Sequence, residues 1–167
     1  MQLYSNKLMR QILIIFAAVC LLLSCSDGTE QKKQAKEVKD DFYITERGID
    51  NIRLPLIKPY EVLRLNGSKE WIMNLEAGTL QFSVSNVKEV NVIDSIVIVH
   101  SSDITYLRGE KVSNAWFIIK PSQQSEQGFA VESEFLSELK NQGINKPVFY
   151  NIDELFKEFV ETGKLRW

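Results

Sequence analysis

Along most of its length the chain repeats short β-prone runs, and then the period changes. Phe42-Tyr43-Ile44-Thr45 is a short β-prone run. Residues 54–59 are extended, with Pro55 and Pro59 unsuited to a central strand. Residues 60–65 alternate, Asn66-Gly67 follows, and residues 71–75 return; Asn-Gly between β-prone runs predicts a tight hairpin. Residues 80–84 form a further candidate strand. Val87, Val90, Val92 and Ile93 precede Asp94-Ser95, and the apolar run 96–99 follows it. This predicts a second hairpin, one side of which is buried on both faces. Residues 115–119 form a strand that Pro121 stops.

The C-terminal third reads differently. Val131, Phe135, Leu136 and Leu139 share one helical face, and Gly143 is a candidate C-cap. A short strand over residues 148–150 precedes Asn151, which is placed to cap a helix with Glu154 as its box partner. Ile152, Leu155, Phe156, Phe159 and Val160 then fall at i, i+3, i+4, i+7 and i+8, one apolar stripe, and Gly163 ends it. The expected class is α+β: mainly antiparallel β-sheet with two short C-terminal helices, in one domain over residues 42–167.

The first 24 residues follow another logic. Lys7 and Arg10 precede an unbroken apolar run over residues 12–23. Twelve residues are too few to span a bilayer, which takes about 20, and suit the apolar part of an export signal. The run closes on Leu22-Leu23-Ser24-Cys25. This box resembles that of bacterial lipoproteins. The resemblance implies cleavage before Cys25, a diacylglyceryl thioether on its sulfur and acylation of the new N-terminus. Each buried CH₂ contributes about 0.8 kcal/mol, so such an anchor is stable. Ser26, rather than Asp, at the second mature position leans toward the outer membrane by the sorting rule of such lipoproteins. Ser26-Asp27 also resembles the start of an acidic surface-export signal, although Gly28 departs from it. Residues 25–41 then read as the lipidated Cys and a polar tether. Lys32, Lys33, Lys36 and Lys39 are offset there by five acids, and only Ala35 and Val38 after Cys25 are apolar.

Charge and composition narrow the function. The leader removes two of the 20 basic groups and none of the 22 acidic ones, leaving 18 against 22, a formal −4. A strongly basic nucleic-acid binder is excluded. Both cysteines, Cys20 and Cys25, are spent in the leader and the anchor, so the mature domain has no thiol or disulfide. With His100 the one histidine, a transition-metal site and a cofactor are not expected. His100-Ser101-Ser102-Asp103 holds the letters of a hydrolase triad, but neighbours on a strand point to opposite faces; it reads as a strand end running into a polar loop. Asp153 and Glu154 suit a helix N-terminus better than an acid pair. Glu134 and Glu138 read as a solvated helix face. Asp94-Ser95-Ile96 resembles the short O-glycosylation motif of exported proteins, which makes Ser95 a candidate acceptor. Trp71 and Trp116 are expected in the core, and Trp167 is expected to dock on its own domain.

From residue 42 onward the order of features is similar to small lipoproteins of uncharacterised domain families. The resemblance rests on the box, the tether, the hairpins, Trp116-Phe117-Ile118-Ile119 and the segment 129–143. It implies no activity, and carries over only the lipid on Cys25. The expected role is a non-enzymatic binding module, for example immunity-like or inhibitory, held to the membrane through Cys25 and meeting a protein partner. The alternatives are an accessory subunit of an envelope complex and a hydrolase with a dispersed site. Replacing Cys25 by Ser should block fatty-acid labelling and leave the precursor uncleaved. Label retained by Cys25→Ser would refute the lipid site.

Overall fold

Two adjacent strands, β6 (Ile96–Leu107) and β7 (Glu110–Lys120), hold the centre of the fold. Val97, Ile98 and Val99 on the first and Phe117, Ile118 and Ile119 on the second are all fully buried. Consecutive residues on a strand face opposite ways, so both faces of this sheet must be covered. The computed structural model describes residues 40–44, 51–77, 80–81 and 83–167, and Cys25 and the leader lie outside them.

The five-stranded sheet has the order β8-β7-β6-β5-β9, with β5 at Val87–Ile93, β8 at Ser125–Phe129 and β9 at Tyr150–Asn151. Its pairings are antiparallel. A four-stranded antiparallel sheet, β1 (Asn51–Ile57), β2 (Tyr60–Leu65), β3 (Ile72–Asn74) and β4 (Ser83–Val84), covers one face. Leu54, Leu56, Val62, Met73 and Val84 from it share a core with Val97, Val99, Phe117 and Ile119. The other face carries helix α1 (Glu132–Asn141), whose Phe135 and Leu139 pack with Ile98 and Ile118. Helix α2 (Ile152–Thr162) contacts both β1 and β5 and adds Ile152, Leu155 and Phe159 to the inter-sheet core. The architecture is α+β, mainly antiparallel sheet with two short helices.

Local chemistry accounts for the elements. Asp94 and Ser95 both have positive φ between paired Ile93 and Ile96, the geometry of a two-residue type I′ hairpin. Arg108 and Gly109 repeat it between Leu107 and Glu110. Pro55 is tolerated because β1 is an edge strand. Helix α1 ends in a Schellman motif: Ile144 N–H donates to Leu139 O, and Gly143 N–H, at φ 86°, to Lys140 O. Asn151 Oδ1 accepts from the N–H groups of Asp153 and Glu154, capping α2, and Gly163 closes it at φ 65°.

Several expectations are corrected. The run at Phe42 is a 3₁₀ turn over Asp41–Tyr43, because Asp40 Oδ1 accepts the Phe42 N–H and turns the chain. Phe42 is held down by Arg53, which donates to its carbonyl, pairs with Glu61 and lies 5.2 Å from the Phe42 ring centroid. Structured chain therefore includes Asp40 and Asp41, which the sequence assigns to the tether. Asn66-Gly67 forms a turn closed by Ser68 N–H on Leu65 O, but pairing with β3 resumes only at Leu63–Ile72. Trp71 stands just before β3 rather than in it but is buried in the core as expected, and its indole N–H donates to Asp153 Oδ1 of α2 (2.9 Å). His100 is not a strand end. A one-residue bulge between Ser102 and Thr105, with Asp103 at φ 72°, lets β6 run on to Leu107. Trp116 is only half-buried, on the outer face, opposite His100. Val131, Leu136 and Val160 are exposed although they share their helices' apolar stripes.

Phe159 is fully buried and Phe156 only partly so. Phe159→Ala should therefore cost about 3–5 kcal/mol, clearly more than Phe156→Ala, and Asn151→Ala about 1 kcal/mol through the lost cap. Denaturant midpoints check the ranking. Equal, small shifts would show that α2 is not packed on the sheets.

Candidate binding cleft

The ends of β1, β5 and α2 meet at one corner of the sandwich and leave a cleft of about 550 Å³. Leu56 and Phe159 form its floor. Tyr43, Ile57 and Val92 wall one part, and Leu165 and Trp167 another. The apolar stripe of α2 and the edge position of β1 explain why these residues point there: each strand or helix face turned to the core continues into the corner. Trp167 docks on its own domain, as expected, and its indole N–H donates to Leu56 O at 3.0 Å. Arg166 locks the same segment, pairing with Glu158 at 2.6 Å and lying 4.6 Å over the Tyr150 ring centroid.

The rim is the Asp94-Ser95 turn. Both residues are exposed. Among the described residues Asp94 is the single charged side chain lining the cleft, and it has no ion-pair or hydrogen-bond partner there. Ser95, the candidate glycan acceptor, stands beside it. The cleft is an open trough, not an enclosed cavity.

Other polar groupings resolve into structural roles or stand apart. Ser101 Oγ is buried and donates to Ser85 O at 2.6 Å on the inner face. His100 lies on the outer face: Nδ1 is 2.8 Å from Glu89 Oε2, and its ring stacks 5.0 Å from Trp116. Asp103 pairs with Lys88 at 2.8 Å. The triad letters therefore do not converge. Asp153 Oδ1 accepts from Arg64 (2.8 Å) as well as Trp71, which ties α2 to the four-stranded sheet. Glu138 accepts from Gln142, and Glu134 is exposed. Among the described residues no group of three or more His, Cys, Asp or Glu side chains is placed to hold a metal ion. Nor is any described helix long and apolar enough to cross a membrane.

One buried carboxylate escaped the sequence reading. Glu126 Oε1, on β8, accepts from the Tyr60 hydroxyl (2.9 Å) and from the N–H groups of Glu76 (2.7 Å) and Ala77 (2.9 Å). Glu126 Oε2 is buried without a partner among the described residues. The only local signal is an acid in an alternating strand, since its donors lie 49 to 66 positions away. Burial first, and the Glu126 carboxylate second, push the Tyr60 phenol well above its usual range.

No protein-family model, curated protein or solved structure matches this chain.

The Tyr60–Glu126 bond sets a pH dependence. Native Tyr60 keeps its proton where the unfolded chain, with a phenol near pH 10, gives it up. Its contribution is then whole below pH 10 and declines as pH rises above that. Tyr60→Phe should cost about 1.5–3 kcal/mol at neutral pH and flatten this part of the alkaline decline. Urea unfolding from pH 8 to 11 measures both; parallel curves for the two proteins would refute the coupling.

Proposed function

We propose that this protein is a lipid-anchored binding module of the bacterial envelope that acts by capture rather than by catalysis. The carrying observation is the cleft: an open apolar trough with aromatic side chains in its walls and one unpaired acid at its rim. Aromatic anchors in desolvated pockets dominate protein interfaces. The sequence supports the anchor through the box ending at Cys25, and the residue after it favours the outer membrane. A protein partner suits the immunity-like or inhibitory form of the reading. Glycosylation of Ser95 would place a sugar at the mouth of the cleft.

A second reading, an accessory subunit of an envelope complex, draws on the β6–β7 hairpin beyond the bulge. Ile104 and Tyr106 project there on one face and are more than half exposed. Such a face suits a permanent neighbour.

Site-specific photo-crosslinking in the native host separates the two. A photoreactive residue at position 165 should join the protein to a discrete partner, while one at exposed Lys146 should not. Crosslinks from position 104 alone would favour the accessory subunit, and none from either position would end the capture reading.

A further inference from the structure

Resting on the capture reading, we infer that the cleft's occupant is a protein segment that sets a Lys or Arg beside a large apolar side chain. Three features of the cleft meet here. First, the floor and walls are apolar, with Tyr43 and Trp167 among them. Aromatic, Met and Arg side chains are the ones enriched at protein interfaces. Second, the rim carries Asp94, the one charged side chain of the lining among the described residues, exposed and without a partner among them. The domain's other described acids near a cation use it: Glu158 has Arg166, Asp153 has Arg64, Glu61 has Arg53 and Asp103 has Lys88. The mature chain's formal −4 acts in the same direction, steering a basic partner inward. Third, the trough is open. A chain crossing it can seat one apolar side chain on Leu56 and Phe159 and extend a cation to Asp94.

The turn holds that charge in place. Asp94 and Ser95 sit at φ 49° and 66° between paired strand ends, so the carboxylate springs from a two-residue turn whose backbone is set by the flanking strands. The type I′ conformation also makes Asp94→Asn a mild change, because Asn is favoured at positive φ.

The test uses the mature chain from residue 25, carrying Cys25→Ser so that no detergent is needed. A randomised dodecapeptide display library is selected against it, and the enriched peptides are synthesised. Winners should place Lys or Arg next to Phe, Leu or Trp, and should perturb the amide signals of Val92 and Leu165. Replacing the peptide's basic residue by Leu should weaken binding about two- to fivefold, the range of an exposed ion pair. The same replacement should change nothing against Asp94→Asn. Circular dichroism confirms that the variant is folded. Winners that lack a basic residue yet perturb the cleft amides would overturn this inference and spare the capture reading. An equal effect of the replacement on both proteins would do the same. Competition by phosphatidylcholine vesicles would assign the trough to lipid instead. A selection that enriches no cleft-binding peptide overturns the inference, and combined with no crosslinking from position 165 it removes the capture reading too.

Discussion

Everything in this fold answers to the burial of β6 and β7 on both faces. Six consecutive-pair residues, three on each strand, have no exposed surface. A lone antiparallel sheet could leave one face to water, but this one cannot. The four-stranded sheet and α1 are the two covers that this demands, and α2 closes the side where the two sheets part. At about 25 cal/mol per Å² of apolar surface, uncovering these side chains would cost a large part of the roughly 5–15 kcal/mol by which a domain is stable. The covers are therefore obligatory. The cleft is what remains at the corner where three of these pieces meet without quite filling the space.

Polar groups mark the seams between the pieces. Asp153 joins Arg64 and Trp71 across the junction of α2 and the four-stranded sheet. Glu126 gathers Tyr60 and two backbone N–H groups where β8 passes the first hairpin and the loop after β3. Arg53 fastens the first turn to β1. Glu126 and Arg53 are ionisable side chains in poorly solvated places, so their worth lies less in net energy than in fixing one arrangement of the layers, whereas Asp153 makes its bonds from an exposed helix end. Losing one partner would strand the other.

How much of this could be read from the sequence depends on range. The Asp94-Ser95 hairpin was legible because two turn-forming polar residues separate apolar strands that pair at once. The α2 stripe, its Asn151 cap and its Gly163 stop were legible for the same local reason. Phe42-Tyr43 misled because aromatic residues look strand-like until Asp40 bends the chain. Trp116 misled because hydrophobicity does not reveal which face of a doubly covered sheet has room left over. The bulge at Asp103 replaced a single-element boundary that polarity alone suggested. The cleft itself was illegible. Its lining comes from residue 43, from 56–57, from 92–95 and from 159–167, segments that nothing but tertiary structure brings together.

The order of the five-stranded sheet has a kinetic side. Strands β5 to β8 follow one another as a meander, each pairing with its predecessor. Strand β9 instead returns to β5, and the Asn91 amide that meets Val148 O bridges 57 positions. Closing so long a loop carries an entropy that the meander does not face. The cleft draws Val92 and the rim from the meander, but Phe159, Leu165 and Trp167 from the segment that must come back. The corner therefore acquires its shape only when the returning segment has closed on the earlier strands, across spans as long as the 111 positions between Trp167 and Leu56.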